Sequence, residues 1–446
     1  MTNSRQLAYI ALKEVHKGAY TDVALNRGLQ KYQLPDNDRR LMTELVYGSV
    51  RRQRTLDAII DQLATKPANQ QPKDLRTILH LGLYQLRYQE KIPVSAAVNT
   101  TVELAKENKF SGLTGFVNGF LRQYLRLSEN NAEPLNLPEN PVERLGILHS
   151  FPNWIIEVWL KQLGFEETEK LCAWMNQTPT IDLRVNILKS NLEQVESAFK
   201  NAGILVSKIP HLPQGLRLIG STGAIQNLPG FNYGWWCVQD SSAQLVGHLL
   251  DPQPNDVVID VCAAPGGKTT HIAELMGDKG KIYACDKTAS RLRKLKENTQ
   301  RLNLQSIEVC TGDSRSLTQF YNTADRLLLD APCSGLGTMH RHADARWRQT
   351  PASVQELSQI QKELLSHTAK FVKSGGVLVY ATCTLHPQEN EEVISEFLTA
   401  NPDWQIQHPN FDFVDISSQG WLKVWPHQRD MDGFFMVRLR KTNDSE

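Results

Sequence analysis

From about residue 237 onward the chain alternates short apolar segments with amphipathic ones, and this rhythm constrains the fold more than any other feature. The apolar segments are rich in Val, Ile and Leu, as in "DVVIDV", "KIYACD", "DRLLLDAP" and "GVLVYATCT". Between them lie segments with helical spacing, such as "KTTHIAELM" and "SRLRKLKENTQRL". Strands and helices in strict turn predict an α/β domain with a buried parallel sheet. The final segments, "WLKVWPHQRD" and "GFFMVRLRK", are expected to close the sheet as an antiparallel pair.

The preceding residues follow a different pattern and predict two smaller domains. Residues 1–127 have helical periodicity throughout, as in "SRQLAYIALKEVHKG", and predict an all-α domain. Residues 128–141 lose this periodicity and gain Asn, Glu and Pro, which is typical of a linker. Short helices alternate with strand segments over residues 142–236, which predicts a small α+β domain. The α/β domain then occupies residues 237–446.

Composition excludes several classes of protein. The chain of 446 residues is 41% hydrophobic and 22% charged, as in ordinary globular proteins. It shows no apolar stretch with the length of a signal peptide or a membrane span, so we expect a cytoplasmic protein without membrane contact. Its seven cysteines are scattered and form no C-x-x-C pair, which predicts free thiols, no disulfide framework and no metal. We expect a monomer.

Charge is distributed unevenly along the chain. The net charge is +1, but residues 1–127 contain 19 Lys and Arg against 11 Asp and Glu. A basic region of this kind either attracts the phosphates of a nucleic acid or forms a solvated helix face, and charge alone leaves both readings open. The densest part of this region consists of Arg39, Arg40, Arg51, Arg52 and Arg54.

A glycine-rich segment follows the first strand of the predicted sheet. Residues 262–269, "CAAPGGKT", match the phosphate-binding template G-x-x-x-x-G-K-[ST] except that Cys262 replaces the first glycine. This departure weakens the case for an ATPase. An adenosine-bearing cofactor without a triphosphate requires instead an acidic residue at the end of the next strand, for the ribose hydroxyls. Asp286 ends that strand, and Asp313 ends the third strand, where an adenine would lie.

Two cysteines and one aspartate end the next two strands of the predicted sheet. Asp330 and Cys333 lie in "LLLDAPCSG", and Cys383 lies in "VLVYATCT". Because the carboxyl ends of parallel strands meet at one edge, these side chains should converge beside the glycine-rich loop. An isolated buried cysteine usually packs as a small hydrophobic residue. Two thiols at strand ends beside a ligand loop favour a chemical role.

The motifs "CAAPGGKT", "DAPCSG" and "YATCT" followed by "HPQENE" resemble the signature of the RNA cytosine-5 methyltransferases that use S-adenosylmethionine, the Sun/Fmu group. The N-terminal helical region resembles the RNA-binding protein NusB, and this combination resembles bacterial 16S rRNA (cytosine-5)-methyltransferases. The resemblance implies a Rossmann-like S-adenosylmethionine-dependent methyltransferase domain. A small RNA-recognition-like α+β domain and an N-terminal all-α NusB-like domain would precede it.

The same resemblance assigns roles to the residues at the strand ends. It implies that Cys383 adds to carbon-6 of a cytosine in 16S ribosomal RNA and that Cys333 later assists removal of the carbon-5 proton. Asp330 would form hydrogen bonds with the base. The residues expected to bind S-adenosylmethionine are Cys262, Ala263, Ala264, Pro265, Gly266, Gly267, Lys268, Asp286, Asp313 and Asp330.

A basic and aromatic segment, "GTMHRHADARWRQ", follows Cys333. Its arginines are expected to contact RNA together with the N-terminal ones, and they are Arg341, Arg346 and Arg348. Four alternatives remain open at this stage. The substrate could be tRNA or another rRNA, or the enzyme could act on DNA with its nucleophile in the "PC" motif. The chain could also be a P-loop ATPase that binds nucleotide despite Cys262, or a non-catalytic RNA-binding or antitermination factor.

Overall fold

A computed structural model of the chain describes residues 3–130, 133–220, 222–408 and 417–442. The helices are α1 Ser4–His16, α2 Thr21–Lys31, α3 Asp36–Arg51, α4 Gln53–Leu63, α5 Lys73–Tyr88, α6 Val94–Glu107, α7 Thr114–Asn130, α8 Pro141–His149, α9 Asn153–Trp174, α10 Leu192–Asn201, α11 Ser241–Leu250, α12 Gly267–Leu275, α13 Ala289–Leu302, α14 Ala345–Arg348, α15 Pro351–Thr368, α16 Glu391–Ala400 and α17 Pro426–Arg429.

The strands are β1 Ile181–Val185, β2 Leu205–Lys208, β3 Gly215–Ile219, β4 Trp236–Val238, β5 Val257–Asp260, β6 Lys281–Asp286, β7 Ile307–Thr311, β8 Ala324–Asp330, β9 Val372–Thr382, β10 Trp404–Ile406, β11 Leu422–Val424 and β12 Phe434–Lys441. Short 3₁₀ turns lie at Ala68–Gln70, Ser111–Leu113, Ile225–Asn227, Thr318–Phe320, Ala369–Phe371 and Pro387–Glu389.

The chain divides into two units. Unit 1 consists of Met1–Gln177 and Met339–Arg348, and unit 2 consists of Thr178–Thr338 and Gln349–Glu446. Parts of all four predicted regions lie outside the described residues: residues 1–2 of the all-α domain, 131–132 of the linker, 221 of the α+β domain, and 409–416 and 443–446 of the α/β domain.

Unit 1 is helical, as the periodicity of its first 127 residues predicts. Apolar residues of α1, α3 and α5, such as Leu12, Leu45 and Ile78, are buried in a common core. Helices α8 and α9 also belong to this unit, although we assigned them to the small α+β domain. Hydrogen bonds join α4 to them: Thr55 Oγ1 donates to the carbonyl of Ile147 at 2.6 Å.

Unit 2 contains two sheets. The smaller one has the order β2-β3-β1-β4, and its strand pairs are antiparallel. Three strand segments predicted before residue 236 form β1, β2 and β3, whereas β4 was not predicted and crosses the predicted domain boundary at 236. Val195 and Phe199 of α10 are buried in the core of this sheet.

The larger sheet has the order β10-β12-β9-β8-β5-β6-β7, with β11 paired to β12. Strands β5 to β9 pair in parallel, whereas β12 pairs antiparallel with β9 and with β11, as the final segments predict. The chain leaves β5 for β6 and β7 on one side, and β8 and β9 lie on the other. This reversal of strand order between β5 and β8 creates a crevice at the carboxyl ends of the strands, where ligands bind in open α/β sheets.

Candidate active site

The glycine-rich loop joins the end of β5 to the start of α12. Gly266 precedes the first turn of α12 with φ 105°, and a Cβ there would lie 2.7 Å from Leu295 Cγ, so the loop requires glycine at this position. Gly266 has no side chain to cap the first N–H groups of the helix, which leaves them able to donate to a ligand. A Cβ on Gly267 would meet nothing closer than Gln239 Nε2 at 3.8 Å, so a ligand can approach the backbone there.

Two further acidic residues follow the strands next to this loop. Asp286 is only 4% exposed and accepts hydrogen bonds from the N–H groups of Ala264 at 3.3 Å and Thr288 at 2.9 Å. Carboxylate oxygens have several acceptor positions, so Asp286 can still accept from the hydroxyl groups of a ribose. The pKa of Asp313 is lowered to about 2 because its carboxylate accepts hydrogen bonds from Arg315. Asp313 is thus held by a neighbouring guanidinium.

The two thiols predicted to converge lie together. Cys333 follows β8, Cys383 follows β9, and their Sγ atoms are 3.3 Å apart. Gly337 holds the two loops close, since its N–H donates to the carbonyl of Cys383 at 2.9 Å and a Cβ would collide with that oxygen. The pKa of Cys333 is raised well above its usual range, by its hydrogen bond with Cys383 and by burial. The raised pKa favours the protonated thiol at Cys333, and either sulfur can donate in the contact between the two thiols.

A lysine and an aspartate form an ion pair at the same edge of the sheet. Lys268 Nζ lies 2.7 Å from Asp330 Oδ2 and 5.0 Å from the centre of the Phe434 ring. Burial acts to lower the pKa of Lys268, but the negative charges of Asp330 and of an ionised Cys383 outweigh it and raise the pKa. Lys268 is therefore a partly buried ammonium group whose charge interacts with that of an ionised Cys383. An ammonium group of this kind stabilises a thiolate.

The arginines predicted to contact RNA lie in different environments. Arg40 and Arg348 are exposed, whereas Arg51 and Arg346 are 6% and 0% exposed. The half-buried members of the set are Arg39, Arg52, Arg54 and Arg341.

Arg346 donates within unit 1 to the carbonyls of Arg51 and Ser150 and to Asn176 Oδ1, at 3.1 to 3.2 Å. Arg51 donates to the carbonyl of His340 at 2.9 Å. This is a correction to the sequence analysis: Arg51 and Arg346 bind internal carbonyl groups, so neither belongs to an exposed basic surface.

One buried arginine beside the cofactor loop went unnoticed in the sequence. Arg184 on β1 is 0% exposed and donates to Glu274 Oε2 at 2.9 Å and Oε1 at 2.7 Å. It also donates to the carbonyl of Gly267 at 2.7 Å, to Thr270 Oγ1 at 3.1 Å and to Gln239. All five guanidinium donors are used. Arg184 therefore links the smaller sheet to the glycine-rich loop, and only the apolar surroundings of "IDLRVN" hinted at its burial.

The residues that the structure describes, the last of which is residue 442, contain neither a candidate membrane-spanning helix nor a candidate metal-binding cluster. None of their helices combines the length and the hydropathy needed to cross a bilayer. Their His, Cys, Asp and Glu residues form no group of three or more that could hold a metal ion.

Three family models match successive parts of the chain. Residues 2–126 match the NusB family, and residues 151–224 match the ferredoxin-like domain of the RsmF/B-like methyltransferases. Residues 247–440 match the family described as 16S rRNA methyltransferase RsmB/F.

Curated relatives match along the whole length. The probable ribosomal RNA small subunit methyltransferase B of Synechocystis sp. is 50% identical, over 99% of this chain and 100% of the relative. Its counterpart in Bacillus subtilis is 36% identical over 99% of both chains. A crystal structure of NSun6 from Pyrococcus horikoshii with SFG is similar at a TM-score of 0.62 and 25% identity, over 67% of this chain and 100% of that one.

This fold and this set of matches define a Rossmann-like methyltransferase preceded by a ferredoxin-like and a NusB domain. The predicted fold class and the predicted resemblance are confirmed. The chain belongs to the 16S rRNA methyltransferase RsmB/F family.

Proposed function

We propose that this protein methylates carbon-5 of a cytosine in 16S ribosomal RNA, with S-adenosylmethionine as the methyl donor. The observation that carries the proposal is the pair of thiols, 3.3 Å apart, at the sheet edge that also holds the Lys268–Asp330 ion pair. The names of the relatives, ribosomal RNA small subunit methyltransferase B, support this substrate. We expect the reaction to take place in the cytoplasm and the protein to act as a monomer.

Carbon-5 of cytosine is a poor nucleophile, and covalent addition of a thiolate overcomes this. We assign the attack to Cys383, whose sulfur forms a bond to carbon-6 while the electrons of the carbon-5–carbon-6 double bond become available at carbon-5. Carbon-5 then takes up the methyl group. Loss of the carbon-5 proton restores the double bond and expels Cys383.

The neighbours of the two thiols support this assignment. Cys333 retains its proton next to Cys383, which favours Cys383 as the thiolate, and the Lys268 ammonium group supplies positive charge to it. Asp330 fixes Lys268 and lies at the end of β8, where it can accept a hydrogen bond from the amino group of the base. We also assign to Cys333 a part in removing the carbon-5 proton, which requires that its own proton has passed to solvent by that later stage.

The glycine-rich loop suits the cofactor. When bound, S-adenosylmethionine supplies an electrophilic methyl group. Asp286 would accept hydrogen bonds from the ribose hydroxyls, and the open backbone of the predicted loop residues 262–268 would contact the rest of the molecule. The SFG present in the NSun6 structure is an analogue of S-adenosylmethionine, which supports this choice.

A cytosine stacked in a helix is closed to a thiol, so the target base must leave its stack before reaction. We propose that the exposed Arg40 contacts RNA phosphates and that the half-buried arginines of the predicted set assist it. Arg348 is exposed as well, but it donates to Asp344 and to the carbonyls of Gly18 and Ala19 and contributes less. Such contacts orient the substrate and leave the identity of the base to the catalytic residues.

The experiment that tests the proposed function separates the two thiols. Cys383→Ala should abolish methyl transfer and form no covalent adduct with a 16S rRNA fragment. Cys333→Ala should attack and methylate, then remain attached to the RNA through Cys383. Denaturing electrophoresis detects this adduct, which should require S-adenosylmethionine and disappear in the double variant.

Cys310→Ala, at the end of β7, provides the matched control and should behave like the wild type. An adduct in Cys383→Ala together with none in Cys333→Ala would exchange the two roles. Absence of 5-methylcytosine in RNA treated with the wild-type protein would refute the proposed function.

A further inference from the structure

Two polar residues that the proposed reaction does not use lie fully buried behind the thiols. Glu389 ends the 3₁₀ turn Pro387–Glu389, Asn390 precedes α16, and both side chains are 0% exposed. An ionised carboxyl group is costly to bury unless several donors surround it. The contacts of these two residues therefore indicate what the burial achieves.

The carboxylate of Glu389 holds the loop that carries Cys333. Its Oε1 accepts a hydrogen bond from the backbone N–H of Ser334 at 2.8 Å, and its Oε2 accepts one from the Ser334 hydroxyl group. Gln361 on α15 donates to the same Oε1 at 3.0 Å and also to the carbonyl of Pro332 at 2.9 Å. The residues on both sides of Cys333 are thus fixed by one buried network.

The same network reaches the loop that carries Cys383. The hydroxyl groups of Ser334 and Thr384 are 2.8 Å apart, which joins the two loops directly. Thr382 Oγ1 donates to Asn390 Oδ1 at 2.6 Å, and Asn390 Nδ2 donates to the carbonyl of Thr384 at 3.0 Å. Asn390 therefore holds Cys383 from both sides.

We propose that Glu389 is a positioning residue for the transfer reaction, and that its carboxylate ties the Cys333 loop to the Cys383 loop so that both sulfurs meet one cytosine. This inference rests on the proposed function for the roles of the two thiols. Asn390 completes the arrangement on the side of Cys383. Both side chains are 0% exposed, so their role is argued through the loops that they hold and not through contact with the substrate.

Besides the hydrogen bonds by which Glu389 holds the loops, its negative charge affects the pKa of Cys333. Burial raises the pKa of Glu389, although the donors Ser334 and Gln361 act against this and favour the carboxylate. The raised pKa of Cys333 arises first from its hydrogen bond with Cys383, then from burial, and also from the negative charge of Glu389. The carboxylate thus helps to keep the proton on Cys333, which leaves Cys383 as the thiol that reacts.

The test uses Glu389→Gln, which preserves the size of the side chain but removes its charge and replaces one acceptor by a donor. We expect kcat to fall about a hundredfold, as for a displacement of about 1 Å at reacting groups, while KM for S-adenosylmethionine and for RNA changes less than about twofold. Alkylation of the protein without RNA, followed by mass spectrometry, should show Cys333 reacting faster relative to Cys383 than in the wild type, because the negative charge that disfavours its thiolate is gone.

The exposed Glu392 on α16 supplies the matched control, and Glu392→Gln should keep wild-type values in both measurements. If Glu389→Gln does not fold, Thr384→Val replaces it, because it removes one link between the loops at constant volume and should lower kcat about tenfold with KM unchanged.

A wild-type kcat and alkylation pattern in the variant would overturn the inference, and so would a loss confined to KM. The alkylation measurement needs neither RNA nor turnover, so it tests the role of Glu389 even if the proposed function fails.

Discussion

Asp260 shows at the scale of one residue how burial changes the chemistry of a carboxyl group. It ends β5, is 1% exposed and accepts a hydrogen bond from Thr269 Oγ1 at 2.7 Å. Burial raises its pKa from 3.8 to about 7. The folded protein therefore binds this proton more tightly than the unfolded chain does. The resulting stabilisation is fully present below about pH 4 and is lost as the pH rises through about 7.

We predict that Asp260→Asn removes this dependence on pH. Asparagine stays neutral and can still accept a hydrogen bond from Thr269. The free energy of unfolding of the variant, relative to that of the wild type, should therefore increase by roughly 2 kcal/mol when the pH rises from about 5.5 to about 8. Urea denaturation of both proteins at the two pH values measures the difference.

Asp325 supplies the control for this experiment. Its pKa is lowered: burial raises it, but the hydrogen bond from Lys373 and the other cationic and N–H neighbours outweigh burial. A lowered pKa adds stability that is lost only in more acidic solution, so Asp325→Asn should differ from the wild type by a constant amount over the same range. An equally constant difference for Asp260→Asn would contradict the prediction.

Strand-end positions could be predicted from the sequence, because a parallel sheet brings its carboxyl ends to one edge. Asp286, Asp330, Cys333 and Cys383 lie where that argument expects them. The buried network around Glu389 could not be predicted in the same way. Its geometry depends on how a 3₁₀ turn, two loops and helix α15 come together at the strand ends, and no periodicity in the sequence records this.

At the scale of single elements, β1 and α12 are joined through one side chain. Arg184 projects from β1 and bonds Glu274, Thr270 and the Gly267 carbonyl at the start of α12. A buried charge is tolerated here because every donor has an acceptor. Removing one partner of such a pair leaves an unpaired charge, which typically costs about 3–5 kcal/mol, whereas replacing both partners by apolar residues is often nearly neutral.

We predict from this that Arg184→Met is strongly destabilised and that the double variant Arg184→Met/Glu274→Met regains most of the loss. Affinity for S-adenosylmethionine should stay about tenfold weaker in the double variant, because the Gly267 carbonyl has lost a charge-assisted hydrogen bond. Denaturation and calorimetry provide the two measurements. Full recovery of cofactor affinity in the double variant would limit Arg184 to a structural role.

Sequence periodicity predicted where helices and strands occur better than it predicted how they pack. The antiparallel pair β11 and β12 was predicted on the expectation that no helix separates the two apolar segments, and the strands do pair although the short helix α17 lies between them. Helices α8 and α9 were predicted as helices of the small α+β domain; the ferredoxin-like match includes α9, whereas the contacts group both helices with unit 1. Periodicity shows that a helix has an apolar face, and it does not show which partner covers that face.

At the scale of the whole molecule, a segment of ten residues belongs to a different unit from the residues on either side of it. The chain leaves unit 2 after Thr338, contributes Met339–Arg348 to unit 1 and returns at Gln349. In the sequence this segment looks like a basic and aromatic RNA contact. In the structure Arg346 packs over the ring of Phe151, and Trp347 Nε1 donates to the carbonyl of Val50 at 2.7 Å. Arginine and tryptophan serve both purposes, so composition could not separate them.

We predict that Arg346→Ala loosens unit 1 selectively. Its loss leaves the carbonyls of Arg51 and Ser150 and the amide of Asn176 without their charged donor, which should cost roughly 3 kcal/mol. Hydrogen exchange followed by mass spectrometry should show faster exchange in α3 and α9 and unchanged exchange in β5 and β8.

Arg40→Ala, at an exposed position, provides the control and should leave hydrogen exchange unchanged in α3 and α9 as well as in β5 and β8. A uniform increase over both units in Arg346→Ala would show that the two units unfold as one.

The excursion of Met339–Arg348 also sets an order of events during synthesis of the chain. Residues 1–177 leave the ribosome first, but the segment that completes their core follows about 170 residues later. At about 5–20 residues per second this delay lasts roughly 10 to 30 s. During that interval the nascent N-terminal unit lacks its Arg346 and Trp347 anchors, so it finishes folding only after strands β5 to β8 have been made.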